Sequence, residues 1–324
     1  MADKGKTTAA EGVEEPPAYT ESTSANPTHT DDAPPGYEEG QTSTVPPISA
    51  SPIYCTIPKV VGAYYQANLS GFKVFHIGAS ENELLFAVEV HMGYSMSGPL
   101  GVRPGIHLHN GPTTKDPMLA ATSEETALSA SMYSMNNNSI IYMPPPLLDR
   151  PGASTSSMVT EMMRARTTSD NGVAFSFSIE VGDAEKTRRE KFEWKKITKK
   201  DKHAGAAQGG YKLLRLATGS SSPQGESSSS SLAATSSAAS TAAASEDGGY
   251  EVVALLAWTK TISNLMHPFT IERKGSGAAD VLGQRWALMV IITALRIWML
   301  RVNGKTKRVV IAAGEKVRGK AAQE

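Results

Sequence analysis

The segment RWALMVIITALRIWMLRV, Arg285 to Val302, constrains the fold more than any other part of this chain. It is apolar on every face except at Thr293, Arg296 and its ends, with Gly283 before it as a breaker and Gly304 after it as a C-cap. A helix that is apolar all round belongs either in a protein core or in a bilayer. The apolar part, Trp286 to Leu295, spans ten residues before Arg296 interrupts it. A bilayer span needs about 20, and an arginine in mid-segment costs about 2.5–3.5 kcal/mol on insertion scales. Both considerations favour a buried core helix over a transmembrane one.

Most of what precedes the helix reads as strands. Val173, Phe175, Phe177, Ile179 and Val181 alternate strictly with small or polar residues, the period-2 pattern of a half-buried strand. Further strands are expected at Phe72 to Ile77, Leu84 to Val90, Ile106 to His109, Met118 to Thr122, Ser139 to Met143, Lys191 to Ile197, Tyr211 to Leu216, Tyr250 to Thr259 and Phe269 to Arg273. SGPLGVRPG, HNGPTTKDP, MNNNS and MPPPLLDRPG punctuate them as turns. Many short strands with closely spaced turn signals suggest a barrel or a sandwich.

Two segments lack core material. Residues 1–52 are rich in Pro, Ser, Thr, Glu and Gly and nearly free of large aliphatic residues, so they are expected to be disordered. Residues 217–249 are almost entirely Ser, Ala, Thr and Gly and are expected to form a flexible insert within one domain. The formal net charge of zero hides an asymmetry: residues 1–50 hold nine acidic and two basic residues, and the remainder 23 acidic and 30 basic. An acidic tail on a mildly basic body bears on partners and says nothing of fold. Cys55 is the single cysteine, so no internal disulfide argues for an oxidising compartment. The sequence MADKGKTTAAEGVEEPPAY has no apolar signal region, and the cytoplasm is the expected location.

The tail carries PPAY (Pro16, Pro17, Ala18, Tyr19) and PPGY (Pro34, Pro35, Gly36, Tyr37), each beside acidic residues. Such a segment presents a pre-extended polyproline II ligand to the aromatic groove of a WW domain, and its tyrosine fills a second pocket. What is known of PPxY motifs points to HECT-type ubiquitin ligases with several WW domains, which two motifs engage with avidity.

Other motifs weigh less. KTRREKFEWKKITKKDK, Lys186 to Lys202, is strongly basic with Phe192 and Trp194 interleaved. Arg188, Arg189, Lys195, Lys196, Lys199 and Lys200 are candidates for an anionic-lipid patch. The plainer reading makes Phe192 and Trp194 core residues of a strand with the lysines on its solvated face. No nucleic-acid motif accompanies the charge, and no nucleic-acid partner is expected. His107 and His109 form an HxH pair six residues after Gly101, like the opening of a cupin metal motif. Thr113 and Thr114 stand where the motif's glutamate should follow, and His91 is the nearest further ligand. Three protein ligands are the usual minimum for a catalytic zinc-type site, so neither metal nor cofactor is expected. GxSxG, HExxH, P-loop and dinucleotide fingerprints are absent, and no catalytic residue is nominated.

A string of short strands, then FTIERKGSG, then GQRWALMVIITALRIWMLRVNGKTK, resembles the tubby C-terminal-like fold, which includes tubby, the phospholipid scramblases and the plant LURP-one-related proteins. FEWKKI, GGYKLLRL, EVVALLAW and the GQRWALMVIITALRIW helix look like a family of uncharacterised fungal proteins. The resemblance covers about residues 53–312 and implies a mainly β fold: a closed antiparallel barrel of about twelve strands around one hydrophobic helix near the C-terminus. Residues 313–324 would be a C-terminal tail. The chain departs from the pattern in three ways. A strand-like run, Lys307 to Ala312, follows the helix. The Ser/Ala insert is not general to the fold. The phosphoinositide motif of tubby, and the calcium segment and cysteine-rich stretch of scramblases, are not recognisable; Asp280 is the only acidic residue between Lys274 and Arg285. The combined reading is a non-enzymatic adaptor whose tail docks a WW-domain ligase and whose barrel binds a further partner. The alternative is a phospholipid-binding, scramblase-like protein held peripherally at membranes.

Overall fold

The computed structural model describes residues 56–65, 73–94, 98–125, 137–146, 158–170, 172–182, 187–198, 209–216, 250–259 and 266–321. The two PPxY motifs, Cys55, Lys199, Lys200 and the 217–249 insert lie outside the described residues. By its contacts the chain divides into residues 1–50 and 51–324, and the fold below belongs to the second unit.

Among the described residues, twelve strands run in chain order: β1 Val60–Tyr64, β2 Val74–Ser80, β3 Glu83–His91, β4 Gly105–His109, β5 Met118–Glu124, β6 Ser139–Met143, β7 Val159–Thr167, β8 Val173–Val181, β9 Arg188–Lys196, β10 Gly210–Leu216, β11 Glu251–Trp258 and β12 Phe269–Arg273. Each pairs antiparallel with its sequence neighbours, and β1 closes onto β12 in the register Val61↔Ile271, so the sheet is a closed barrel. Closure leaves no strand with an unpaired edge. Among the described residues, three helices follow: α1 Gly275–Ala278, α2 Gln284–Val302 and α3 Arg308–Ala321.

Strand number explains what lies inside. Eight strands make an interior that side chains alone can fill. Twelve strands spaced about 4.8 Å apart and tilted about 40° put the walls roughly 24 Å apart between backbones. Side chains from the walls cannot close that gap, but a helix of about 10–12 Å diameter can. α2 is that helix. Every residue from Trp286 to Ile297 is buried, which is more than three turns with no exposed face. Its side chains form one core with the inward residues of the strands, among them Phe75, Phe86, Ile106, Leu108, Phe175, Phe192 and Trp194. Aromatic contacts tie it to the wall at both ends: Phe192 to Trp286 with centroids 5.9 Å apart, and Phe75 to Trp298 at 4.9 Å. Midway, Trp194 Nε1 donates to Thr293 Oγ1 at 3.0 Å.

α2 ends as its sequence implies. Gly304 adopts φ 70°, a left-handed conformation that glycine takes without a Cβ clash. Lys305 N donates to Leu300 O at 2.8 Å and Gly304 N to Arg301 O at 2.9 Å, the two bonds of a Schellman motif. This stop reverses the chain and returns Lys305 to the end of the barrel.

The run at Lys307 to Ala312, expected as a strand, is helical instead, with Arg308 to Ala312 forming the start of α3. Val309, Val310 and Ile311 supplied a local β signal, but the closed ladder offers no edge for another strand. The chain buries Ile311 and Gly314 by helical spacing and docks on β7. Thr167 N and Oγ1 both donate to the Glu315 carboxylate, at 2.9 and 2.8 Å. α3 therefore runs straight through residue 312, where the resemblance ends the domain.

Candidate functional site

The basic strand β9 alternates as its sequence requires. Phe192 and Trp194 point inward, and Phe192 stacks on Phe177 with centroids 5.6 Å apart. The arginines of the expected lipid patch sit in a network of ion pairs at the barrel end where α2 begins. Arg188 pairs with Glu190, and Arg215 also grips Glu190 with Nε at 2.7 Å and a terminal nitrogen at 2.9 Å. Arg189 lies between Glu161 and Glu180 and donates to Ser178 O at 3.0 Å. Arg285, in the first turn of α2, reaches the Pro144 carbonyl, Glu161 at 3.3 Å and Glu180 at 3.4 Å. A cation in a first helical turn opposes the helix dipole; here two carboxylates offset it.

The electrostatics follow these contacts. The hydrogen bond to Glu161 raises the pKa of Arg189. Burial pushes Glu190 up, but its hydrogen bonds from Arg215 and Arg188 hold it below the ordinary carboxylate value. Arg188 and Arg189 are thus committed to carboxylates of the same chain. Lys196 is exposed, and Lys195 is half-buried with its charge felt at Asp170. Both arginine side chains remain about half or more exposed, at 64% and 49%, so the difference from the lysines lies in these carboxylate contacts.

A second constellation lies on the outer face of β2–β5. Along β4, Ile106 and Leu108 point inward, so His107 and His109 point outward. The register places Glu89 of β3 opposite His107 and leaves His91 opposite Gly105. Glu89 Oε2 lies 3.7 Å from His107 Nδ1 and 3.5 Å from His109 Nε2. His91 packs against His107 with ring centroids 4.7 Å apart and an interplanar angle of 36°. These histidines are 6–7% exposed although they face away from the core. Burial, then the charge of His91, pushes His107 below the ordinary imidazole pKa, and Glu89 opposes the shift. Sequence reading singled out the HxH pair and His91 but missed Glu89, whose place depends on the β3–β4 register. Among the described residues, no three His, Cys, Asp or Glu side chains are placed to hold a metal ion.

The third constellation is inside the barrel, at the end where α2 stops. Arg296 is 1% exposed. Its Nε donates to Ser139 Oγ at 2.8 Å, and a terminal nitrogen lies 3.9 Å from Glu124 Oε1. Lys305 pairs with the same carboxylate. Burial pushes the Arg296 pKa down to about 10, with Glu124 opposing. The guanidinium therefore stays charged at neutral pH and needs its anion. Among the described residues, no helix is long and apolar enough to cross a membrane. Comparison of the chain with family models, curated proteins and solved structures finds no match.

Proposed function

We propose that this chain is a non-enzymatic interaction protein of the cytoplasm. Its tail docks the WW domains of a HECT-type ubiquitin ligase through Pro16, Pro17 and Tyr19 and through Pro34, Pro35 and Tyr37, and its barrel carries the surface that recognises a further partner. The observation that carries the reading is the pair of PPxY motifs, each beside acidic residues, within a Pro-rich segment that lacks core material. The barrel supports it indirectly. Its interior is occupied by α2, so recognition falls to the outer face and the loops.

The test is a pull-down of the full chain by a tandem WW-domain fusion. Tyr19→Ala or Tyr37→Ala alone removes avidity and should weaken apparent affinity on the order of 10²-fold. The two together should abolish capture; a double variant captured as well as wild type removes the docking reading.

Attachment to an anionic membrane surface is the second reading, and Lys195, Lys196, Lys199 and Lys200 would carry it. The self-paired Arg188 and Arg189 lower the charge available for it. Sedimentation with phosphatidylserine vesicles separates the readings: binding lost on Lys195→Glu/Lys196→Glu supports the membrane.

A further inference from the structure

α3 is bound to the barrel by one side only. Ile311 and Gly314 are buried, the Glu315 carboxylate accepts both donors of Thr167, and a terminal nitrogen of Arg318 donates to Ala165 O at 3.4 Å. By helical spacing these four residues share the face turned to β7. Val309, Lys316 and Val317 then fall on the opposite face, with Ala313 between them. The exposures agree: Val309 is 81% and Val317 60% exposed, and Lys316 is exposed as well.

Two features of that outer face have no role in folding. The first is its valines. A β-branched residue is a poorer helix former than alanine or lysine. At an exposed helical position each valine lowers stability without adding to the core. The second is its charge. Lys307, Arg308 and Lys316 are exposed. Glu315, the one carboxylate of the helix, is held by Thr167, and Lys305 takes Glu124. The neighbouring strands add to the charge: Lys195 lies opposite Ala174, and Ala174 opposite Arg166, beside the Thr167 that α3 grips.

We propose, resting on the reading that the barrel binds a further partner, that the outer face of α3 is the surface that does so and that the partner presents an acidic amphipathic helix. Its apolar stripe would seat on Val309, Ala313 and Val317, and its flanking Asp or Glu would meet Arg308 and Lys316. The spacing selects a helix: residues at i, i+4 and i+8 form one ridge, and such ridges interlock with those of a second helix. The charge selects an acidic one and excludes a second copy of this chain. Parallel pairing sets Lys316 against Lys316, antiparallel pairing sets it near Arg308, and both repel. The residue types favour protein over lipid. Interfacial helices anchor with Trp, Phe or Leu, and α3 contains none of them.

Fluorescence anisotropy with the full chain tests this. The probe is a synthetic helical peptide of about five turns, with Leu at i, i+4 and i+8 and Glu on both flanks. A peptide of the same composition in scrambled order controls for charge alone. The ordered peptide should bind at least about tenfold tighter than the scrambled one, and its affinity should fall as salt is raised. Arg308→Glu with Lys316→Glu should weaken it at least about tenfold and create binding to a peptide whose Glu are replaced by Lys. Val309→Ser with Val317→Ser should weaken it by a similar factor with the charge untouched. All four positions are exposed, so melting should stay at the wild-type value and separate a lost surface from a lost fold. The WW-domain pull-down should be the same for all these variants, so docking by the tail is read separately. Absence of binding overturns the proposal, as does equal binding of the ordered and scrambled peptides. Binding that survives both double variants overturns the assignment to α3 and leaves the adaptor reading standing. Capture by phosphatidylserine vesicles that both double variants lose, without peptide binding, assigns the face to lipid and overturns a protein partner.

Discussion

Truncation of Leu288, Ile292 or Leu295 to alanine is expected to cost about 2–5 kcal/mol each, because all three are fully buried inside a closed barrel. The three lie on one face of α2 by i, i+4, i+7 spacing. The opposite face is equally enclosed: Val290, Ile291 and Ala294 are buried as well. The wall is a hydrogen-bonded ring that cannot collapse onto a smaller side chain, which puts the cost toward the upper part of the range. A domain stable by on the order of 5–15 kcal/mol would lose a large share of that from one substitution. Thermal midpoints should fall by roughly 5–20 °C. Val309→Ala is the control: Val309 is 81% exposed, and its loss should stay within about 0.5 kcal/mol. Three core variants that melt with wild type would remove the central-helix architecture.

The burial behind that prediction was legible because α2 has no polar face. Its Gly304 stop was equally plain. β8 was legible for the opposite reason: VAFSFSIEV keeps a period of two, and Val173, Phe175, Phe177, Ile179 and Val181 are all buried, with Ala174 the one buried residue out of phase. β1 and β7 gave no such signal. β1 is five residues with Gly62 at its centre, where a Cβ would lie 2.4 Å from the His267 ring. β7 points Glu161, Met163 and Ala165 inward, and Glu161 is there to receive Arg189 and Arg285 at the barrel end. An inward carboxylate hides a strand from any pattern based on hydrophobicity. α3 failed differently, since its β-branched start favours a strand that the closed ladder has no place for.

The candidate sites were less legible because they depend on register and closure. Arg188 and Arg189 read as open cations in a basic run. Their partners come from β7, β8 and β9, and only the strand order brings Glu161, Glu180 and Glu190 together. His107 and His109 stood out as a pair, but Glu89 joins them through the pairing of β3 with β4. Arg296 counted in the sequence as an obstacle to a membrane span. In the fold it is a buried cation whose contacts lie 157 residues away at Ser139 and, for Lys305 beside it, 181 residues away at Glu124.

That interior cluster carries the second large expectation, and its asymmetry is the informative part. Glu124 is the anion for both Arg296 and Lys305. Glu124→Gln leaves two buried cations without it and should cost about 3–5 kcal/mol, the usual effect of removing one partner of a buried pair. Arg296→Met should cost far less, within about 1.5 kcal/mol, since it fills similar space and leaves Glu124 paired with Lys305. One Arg296 terminal nitrogen has no hydrogen-bond partner, so the arginine is not fully repaid for leaving water. The pH dependence has a definite sign. Burial holds the folded pKa of Arg296 down at about 10, well below the ordinary guanidinium range, so the cost of the buried charge is present below pH 10 and relieved above it. Without Glu124 to oppose burial, the folded value falls further and relief starts at lower pH. The stability deficit of Glu124→Gln against wild type, measured by urea denaturation, should therefore narrow from pH 8 toward pH 10. A deficit under about 1 kcal/mol at pH 8, or an Arg296→Met variant as damaged as Glu124→Gln, would show that the carboxylate is not what keeps the arginine inside the barrel.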